Sequence, residues 1–268
     1  MRATKLYSTG DIRTVNVDVP SPAENEILIK VEAAGICGTD RHLYHGEFPS
    51  VPDKILGHEF SGIVMDSGKT DIAEGVRVTC DPNTWCGACS QCERGRVNLC
   101  PNNLATGIHR DGGFAEFCVF PASKAVVLPN EINPLYGAFC EPLACTLHGM
   151  DMGAVSEGET VLVIGGGVIG LMAVQLAKLS GAEVMLLTRS PEKQTLGLNI
   201  GADYAVGTES GVRNIWPDGA DLVVECAGVS LTVTMSHKLA RSGGRVVILG
   251  VISQGEKVPI EPFDMLFR

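Results

Sequence analysis

The segment "ETVLVIGGGVIGLMAVQLAKLSG", residues 159–181, constrains the fold of this chain more than any other stretch. An apolar, β-branched run stops at three glycines and resumes as a helix-forming sequence, the pattern of a strand, a tight turn and a helix. Gly165, Gly167 and Gly170 read G-x-G-x-x-G in that setting. The first glycine permits the turn, the second lets a pyrophosphate approach the backbone, and the third lets helix and strand pack closely. Val168 and Ile169 then open the helix, whose amide groups face the anion. The alternative is a glycine-rich turn in an unrelated α/β sheet. The downstream sequence favours a dinucleotide site, because "EVMLLT", "ADYAVG", "ADLVVECAG" and "RVVILGVI" alternate with the helical patterns "SPEKQTLGLNIG" and "LTVTMSHKLARSGG". Apolar strands separated by helices read as βαβ units on a parallel sheet. The apolar run is short for a membrane span and rich in glycine, so no membrane association is expected.

The second strand bears on which dinucleotide is bound. An NAD site places Asp or Glu about 20 residues beyond the glycines, where it bonds the ribose 2′-hydroxyl. Here Thr188 stands in that place, followed by Arg189 and Ser190. Losing the carboxylate and keeping a guanidinium suits a 2′-phosphate, to which Ser190 adds a hydroxyl. The pattern predicts NADP in preference to NAD. The alternative is that Arg189 covers the adenine face, as it could in an NAD enzyme.

The chain changes character near residue 150. Residues 1–150 hold short strand-like runs, "EILIKVEAAGI", "FSGIVM", "VRVTC" and "FAEFCVF", broken by turn residues, and predict a β-rich, barrel-like domain. Residues 151–268 form the parallel-sheet domain. A formal net charge of −10 excludes a sequence-independent nucleic-acid binder. The N-terminus has no apolar signal core, so a cytoplasmic location is expected, where clustered cysteines point to metal or catalysis more than to disulfides.

Cys86, Cys89, Cys92 and Cys100 are spaced C-x2-C-x2-C-x7-C. Four thiolates fit a closed tetrahedral zinc site. An iron–sulfur cradle would need a different last spacing, and a redox pair would sit at a βαβ turn. A closed shell leaves no position for substrate. Cys37, in "AAGICGTDRHLYHG", and His58 with Glu59, in "ILGHEFSG", offer a thiolate, an imidazole and a carboxylate, donors that can hold zinc with room for a further oxygen. Each alone is ordinarily a structural residue, and spacing does not connect them.

Taken in order, "GICGTDRHLYHG", "ILGHEFSG", the four-cysteine segment, "EPLACTLHG" and "VLVIGGGVIGLMAVQLAK" resemble the zinc-dependent medium-chain dehydrogenases, and "HEF" with "EPLACTLHG" resembles the polyol, sorbitol-like branch. The resemblance runs from about Lys30 to the end of the chain. It implies an α/β protein: a GroES-like, β-rich catalytic domain joined to a Rossmann dinucleotide-binding domain. It also implies a catalytic zinc on Cys37, His58 and Glu59, with Glu141 as a further ligand or orienting its water, and a structural zinc on Cys86, Cys89, Cys92 and Cys100. Thr39 and His42 match the family's proton relay. The implied reaction is oxidation of a secondary alcohol, a polyol or sugar alcohol, by NAD(P). Zinc would act as a Lewis acid and the proton would leave through Thr39 to His42 or solvent. Threonine or simple alcohols remain alternative substrates, and a truncated, non-catalytic zinc- and dinucleotide-binding relative is the alternative function. The family implies a homodimer or homotetramer. "IEPFDMLFR" ends where family members run on, so the Rossmann domain is expected to be C-terminally incomplete. Of the other histidines, His45, His109 and His148 read as loop or packing residues, with contact to substrate hydroxyls the alternative for His45 or His109, and His237 reads as a helix-face residue with no role.

Overall fold

A computed structural model describes residues 1–49 and 51–267. The chain divides into two compact units, Met1–Glu141 and Pro142–Arg268.

The first unit is β-rich. Strands β1 (Arg2–Ser8), β2 (Asp11–Asn16) and β3 (Glu26–Gly35) precede helix α1 (Gly38–His45). There follow β4 (Lys54–Ile55), β5 (Glu59–Asp66), β6 (Arg77–Cys80), β7 (Asn83–Thr84), the one-turn helix α2 (Ser90–Glu93), β8 (Leu104–Ala105), β9 (Phe117–Pro121), β10 (Ala125–Val127) and α3 (Pro134–Ala138). The main sheet has the order β10-β6-β5-β3-β9, beside a β2-β1-β4 sheet and a β7-β8 ribbon. Alternation in "EILIK" turns Ile27 and Ile29 inward, where they pack with Phe60, Val64, Val78 and Phe120. Phe60 and Phe120 meet edge to face at 5.7 Å. One pairing matters for the site: β3 runs antiparallel to β5 with Gly35 opposite Glu59. The sheet thereby carries the residues after β3 to the start of β5. Helix α1, which begins there, is absent from the strand pattern read in the sequence.

Helix α4 (Cys140–Gly153) begins in the last two residues of the first unit, and the second unit takes in the rest of it with β11 (Thr160–Ile164), α5 (Val168–Leu179), β12 (Glu183–Leu187), α6 (Pro191–Asn199), β13 (Tyr204–Val206), α7 (Glu209–Ile215), β14 (Ala220–Glu225), α8 (Ser230–Leu239), β15 (Ala240–Ile248) and α9 (Pro262–Leu266). Its sheet is parallel throughout, in the order β13-β12-β11-β14-β15. Val161 and Val163 of β11 pack on one face with Ala173, Val174 and Ala177 of α5, while Leu162 and Ile164 pack on the other with Val212 and Leu239. Burial on both faces explains the unbroken apolar run. The helix expected over "LTVTMSHKLARSGG" ends at Leu239 instead. Residues 240–244 join β15 irregularly, Ala220 pairing with Ala240 and Leu222 with Arg245, with Gly243 left-handed between. Among the described residues, no helix is long and apolar enough to cross a membrane.

Candidate active site

Two groups of side chains among the described residues could hold a metal ion. In the first, one ligand atom each from Cys37, His58 and Glu59 lies within 4.8 Å of the others. Cys37 is the N-cap of α1, and His58 and Glu59 are buried at the start of β5. Gly35 leaves room for Glu59 in its observed place, because a Cβ there would strike the carboxylate and displace it. Burial pushes the Cys37 thiol up to about 12, and the charge of Glu59 adds to the shift, against hydrogen bonds from the Thr39 backbone and side chain. Burial likewise raises Glu59, against a hydrogen bond from Cys37 and the charge of His58. Two acidic donors whose ionised forms are opposed by burial would yield their protons to a divalent cation, whose charge offsets the two anions so formed. The donor set therefore fits zinc.

The surroundings of this cluster include groups not singled out from sequence. Asp40 is 4% exposed, its Oδ2 accepts the Cys37 N–H at 2.8 Å, and its Oδ1 lies 3.9 Å from His58 Nδ1. Neither Asp40 Oδ1 nor His58 Nδ1 has a hydrogen-bond partner. Burial raises the Asp40 carboxyl, against the pull of His58. The signal for it was an acid three residues after Cys37, the N3 position of a capping box. Thr39 and His42 lie three apart on α1, on one face. His42 Nδ1 is paired with Glu47 Oε2 at 2.8 Å, a partner not foreseen. Glu141 lies outside the three-residue group, near enough for its charge to raise Glu59. His109 Nδ1 accepts the Ala105 N–H at 3.0 Å, and His45 meets Tyr44 edge to face at 5.1 Å.

The second group is Cys86, Cys89, Cys92 and Cys100. Its sulfurs approach at 3.5 Å (Cys89–Cys92), 3.6 Å (Cys86–Cys100) and 3.9 Å (Cys89–Cys100). Four sulfurs at about 2.3 Å from one zinc define tetrahedron edges of about 3.8 Å. These separations match that figure and are far beyond a disulfide bond of about 2.05 Å; all four cysteines are free. The Ala88 N–H, then Asn102 and Cys100, lower Cys86 to about 6. Desolvation and the neighbouring sulfurs push Cys92 to about 12. At the root of this lobe, Lys124 lies over the Trp85 ring at 2.9 Å and pairs with Asp81 at 2.8 Å.

The glycine turn ends β11. Gly165 has φ +108°, and a Cβ on it would come within 2.9 Å of the Ala227 nitrogen. A Cβ on Gly170 would strike the Gly165 carbonyl, whereas one on Gly167 would meet nothing within 4 Å. The turn is thus packed tightly below and open above Gly167, where Val168 and Ile169 start α5: a cradle that accepts an anion. Beyond β12, the Thr188 carbonyl accepts a hydrogen bond from Gln194 Nε2 at 2.7 Å. Arg189 is exposed and has no ion pair among the described residues. Ser190 caps α6, accepting the Lys193 N–H at 3.3 Å and donating to Glu192 at 2.8 Å. Its hydroxyl is therefore already engaged. The Lys193 stem crosses Gly166, where a Cβ would come within 3.0 Å of it; this second cation was missed in the sequence.

Comparison with known proteins agrees along both units. The alcohol dehydrogenase GroES-like domain family matches residues 23–130 and the zinc-binding dehydrogenase family residues 168–268. The chain is 33% identical to sorbitol dehydrogenase of Halalkalibacterium halodurans, over 93% of this chain and 76% of that protein. It is 34% identical to D-arabinitol dehydrogenase 1 of Uromyces fabae, over 97% and 78%. A crystal structure of a zinc-binding dehydrogenase from Sinorhizobium meliloti 1021, bound to NADP, superposes with a TM-score of 0.95 at 54% identity, covering 99% of this chain and 81% of that one.

Proposed function

Because the chain belongs to the zinc-dependent medium-chain dehydrogenases of the polyol type, we propose that it transfers hydride between NAD(P) and a secondary alcohol, a polyol or sugar alcohol, at Cys37, His58 and Glu59. The observation that carries this reading is the convergence of those three donors, His58 and Glu59 buried and Cys37 half-buried, in one acidic cluster. Zinc bound there supplies Lewis acidity toward an alcohol oxygen, and bound NAD(P) accepts the hydride.

The protein's own side chains do the rest. Cys37 and Glu59 bring two negative charges to the ion, Glu141 adds a nearby second carboxylate, and Asp40 sets its own charge 3.9 Å from His58 Nδ1. The substrate proton moves at Thr39 Oγ1 toward the imidazole of His42, whose other approach is held by Glu47. Cys86, Cys89, Cys92 and Cys100 hold a second, structural zinc that closes their loop. A cytosolic setting, which keeps these thiols reduced, and a homodimeric or homotetrameric assembly belong to the same reading. Incubation with zinc, a panel of polyols and either nicotinamide dinucleotide tests it through the near-ultraviolet absorbance of the reduced ring. No reduction by zinc-replete protein with any polyol would sink it.

In the cofactor site, Gly165, Gly167, Val168, Ile169 and Gly170 cradle the pyrophosphate, and NADP is preferred over NAD. Support comes from Thr188 in place of a carboxylate, from the unpaired Arg189 and from Lys193 beside the turn. The NADP bound to the Sinorhizobium protein points the same way. Ser190 contributes by capping α6. A charge-assisted hydrogen bond contributes about 1.5–3 kcal/mol. Arg189→Ala should therefore weaken NADP binding about tenfold to a hundredfold and leave NAD nearly unchanged. Equal losses for the two dinucleotides in a titration would instead place Arg189 on the adenine.

A further inference from the structure

Glu225, the last residue of β14, is 0% exposed and has no ion pair among the described residues. A carboxylate so placed is costly unless hydrogen bonds use its lone pairs. Here they do: Oε1 accepts from the N–H of Ala227 at 2.8 Å, the N–H of Gly228 at 3.0 Å and the hydroxyl of Thr232 at 2.7 Å. The backbone carbonyl of Glu225 accepts the N–H groups of Leu249, at 2.8 Å, and Gly250, at 3.0 Å. One residue thus ties the loop after β14 to the loop after β15.

The two loops fit each other without slack. A Cβ on Gly228 would come within 2.5 Å of the Val251 carbonyl, and one on Gly250 within 2.5 Å of Glu225 Oε2. Ala227 in turn abuts Gly165 of the glycine turn. The sheet order puts the topological switch between β11 and β14, the crevice in which a doubly wound sheet binds a dinucleotide. The glycine turn and β12 serve one mononucleotide half. The loops after β14 and β15 flank the other.

We propose that Glu225 is a positioning residue for the nicotinamide half of the cofactor, setting the loops at 226–229 and 249–251 as the wall against which that half is held. The proposal rests on the dinucleotide reading above. An apolar residue would fill the same volume at less cost, whereas the carboxylate fixes two N–H groups of the loop at 226–229 and the Thr232 hydroxyl in the first turn of α8, while the Glu225 carbonyl holds the next loop.

Glu225→Asp keeps the charge and withdraws the oxygens by one methylene. Its binding of 2′-phospho-ADP-ribose, which lacks nicotinamide, and of NADPH is compared with wild type by titration. The isotope effect with a C-deuterated polyol is measured alongside. The expected result is unchanged 2′-phospho-ADP-ribose affinity, weakened NADPH binding, and a kcat lower by about 10- to 100-fold with a larger isotope effect. Thr232→Val, which removes one donor, should show the same split more weakly and serves if the first variant does not fold. Parallel loss of both ligands, or loss of neither, overturns the positioning role while leaving the cofactor reading intact. Wild-type protein that binds neither ligand overturns both.

Discussion

Cys37→Ser is expected to abolish polyol oxidation, with kcat lower by about a thousandfold or more, and to release one zinc ion per chain while the protein stays folded. The magnitude follows from the several kcal/mol that a Lewis acid contributes to charge stabilisation, at 1.36 kcal/mol per tenfold in rate. Serine suits this test because of where Cys37 sits. The residue caps α1, with Asp40 reaching back to its N–H at 2.8 Å. Serine is among the best N-cap residues, so the helix start is kept while the thiolate is lost. Glu59 and His58 are left as two donors in a buried cluster, too few for a tight site. Metal analysis, a melting curve and a polyol turnover assay check the three parts. Retained metal with lost activity would show that Cys37 acts otherwise than as a ligand, and lost folding would mean that this group, rather than the four cysteines, is structural.

How far such a site can be read from sequence depends on how local its parts are. Gly165, Gly167 and Gly170 are legible because strand, turn and helix follow one another in the chain, and each glycine answers a constraint within a few residues. The four cysteines are legible for the same reason, lying between Cys86 and Cys100. Cys37 and His58 are different. They meet only because β3 pairs with β5 so that Gly35 faces Glu59, and register is a property of the sheet that neither segment displays alone. Resemblance to a family had to supply that link. Asp40 was within reach, as an acid at N3, but a cysteine N-cap does not advertise a helix start. Lys193 and Glu225 were not legible. Lys193 looks like an exposed helix residue until Gly166 is found beneath its stem, and Glu225 looks like a strand end until five donors are found around it.

The opposite outcome is expected at the four-cysteine lobe. Cys100 is its most buried sulfur, 7% exposed, and contacts both Cys86 and Cys89. Cys100→Ser should release one zinc and lower Tm, with kcat of the folded fraction, measured at low temperature, close to wild type. Structural zinc sites show apparent binding free energies of about 10–16 kcal/mol in peptides, much of it spent on ordering the loop. If breaking the site costs the whole molecule only about 4 kcal/mol, the conversion for domains of this size, about 2–4 °C per kcal/mol, gives a fall of roughly 8–16 °C. The loss is limited because the lobe is also held at its root by Lys124, which clamps Trp85 and Asp81 without using metal. Adding Lys124→Ala to Cys100→Ser should therefore lower Tm by more than the sum of the two single changes, since each variant alone leaves the other fastening in place. Strict additivity in the melting series would show that lobe and root are independent. A loss of kcat in folded Cys100→Ser as deep as in Cys37→Ser would show that the closed site takes part in the chemistry, contrary to the separation of roles argued from its four-sulfur shell.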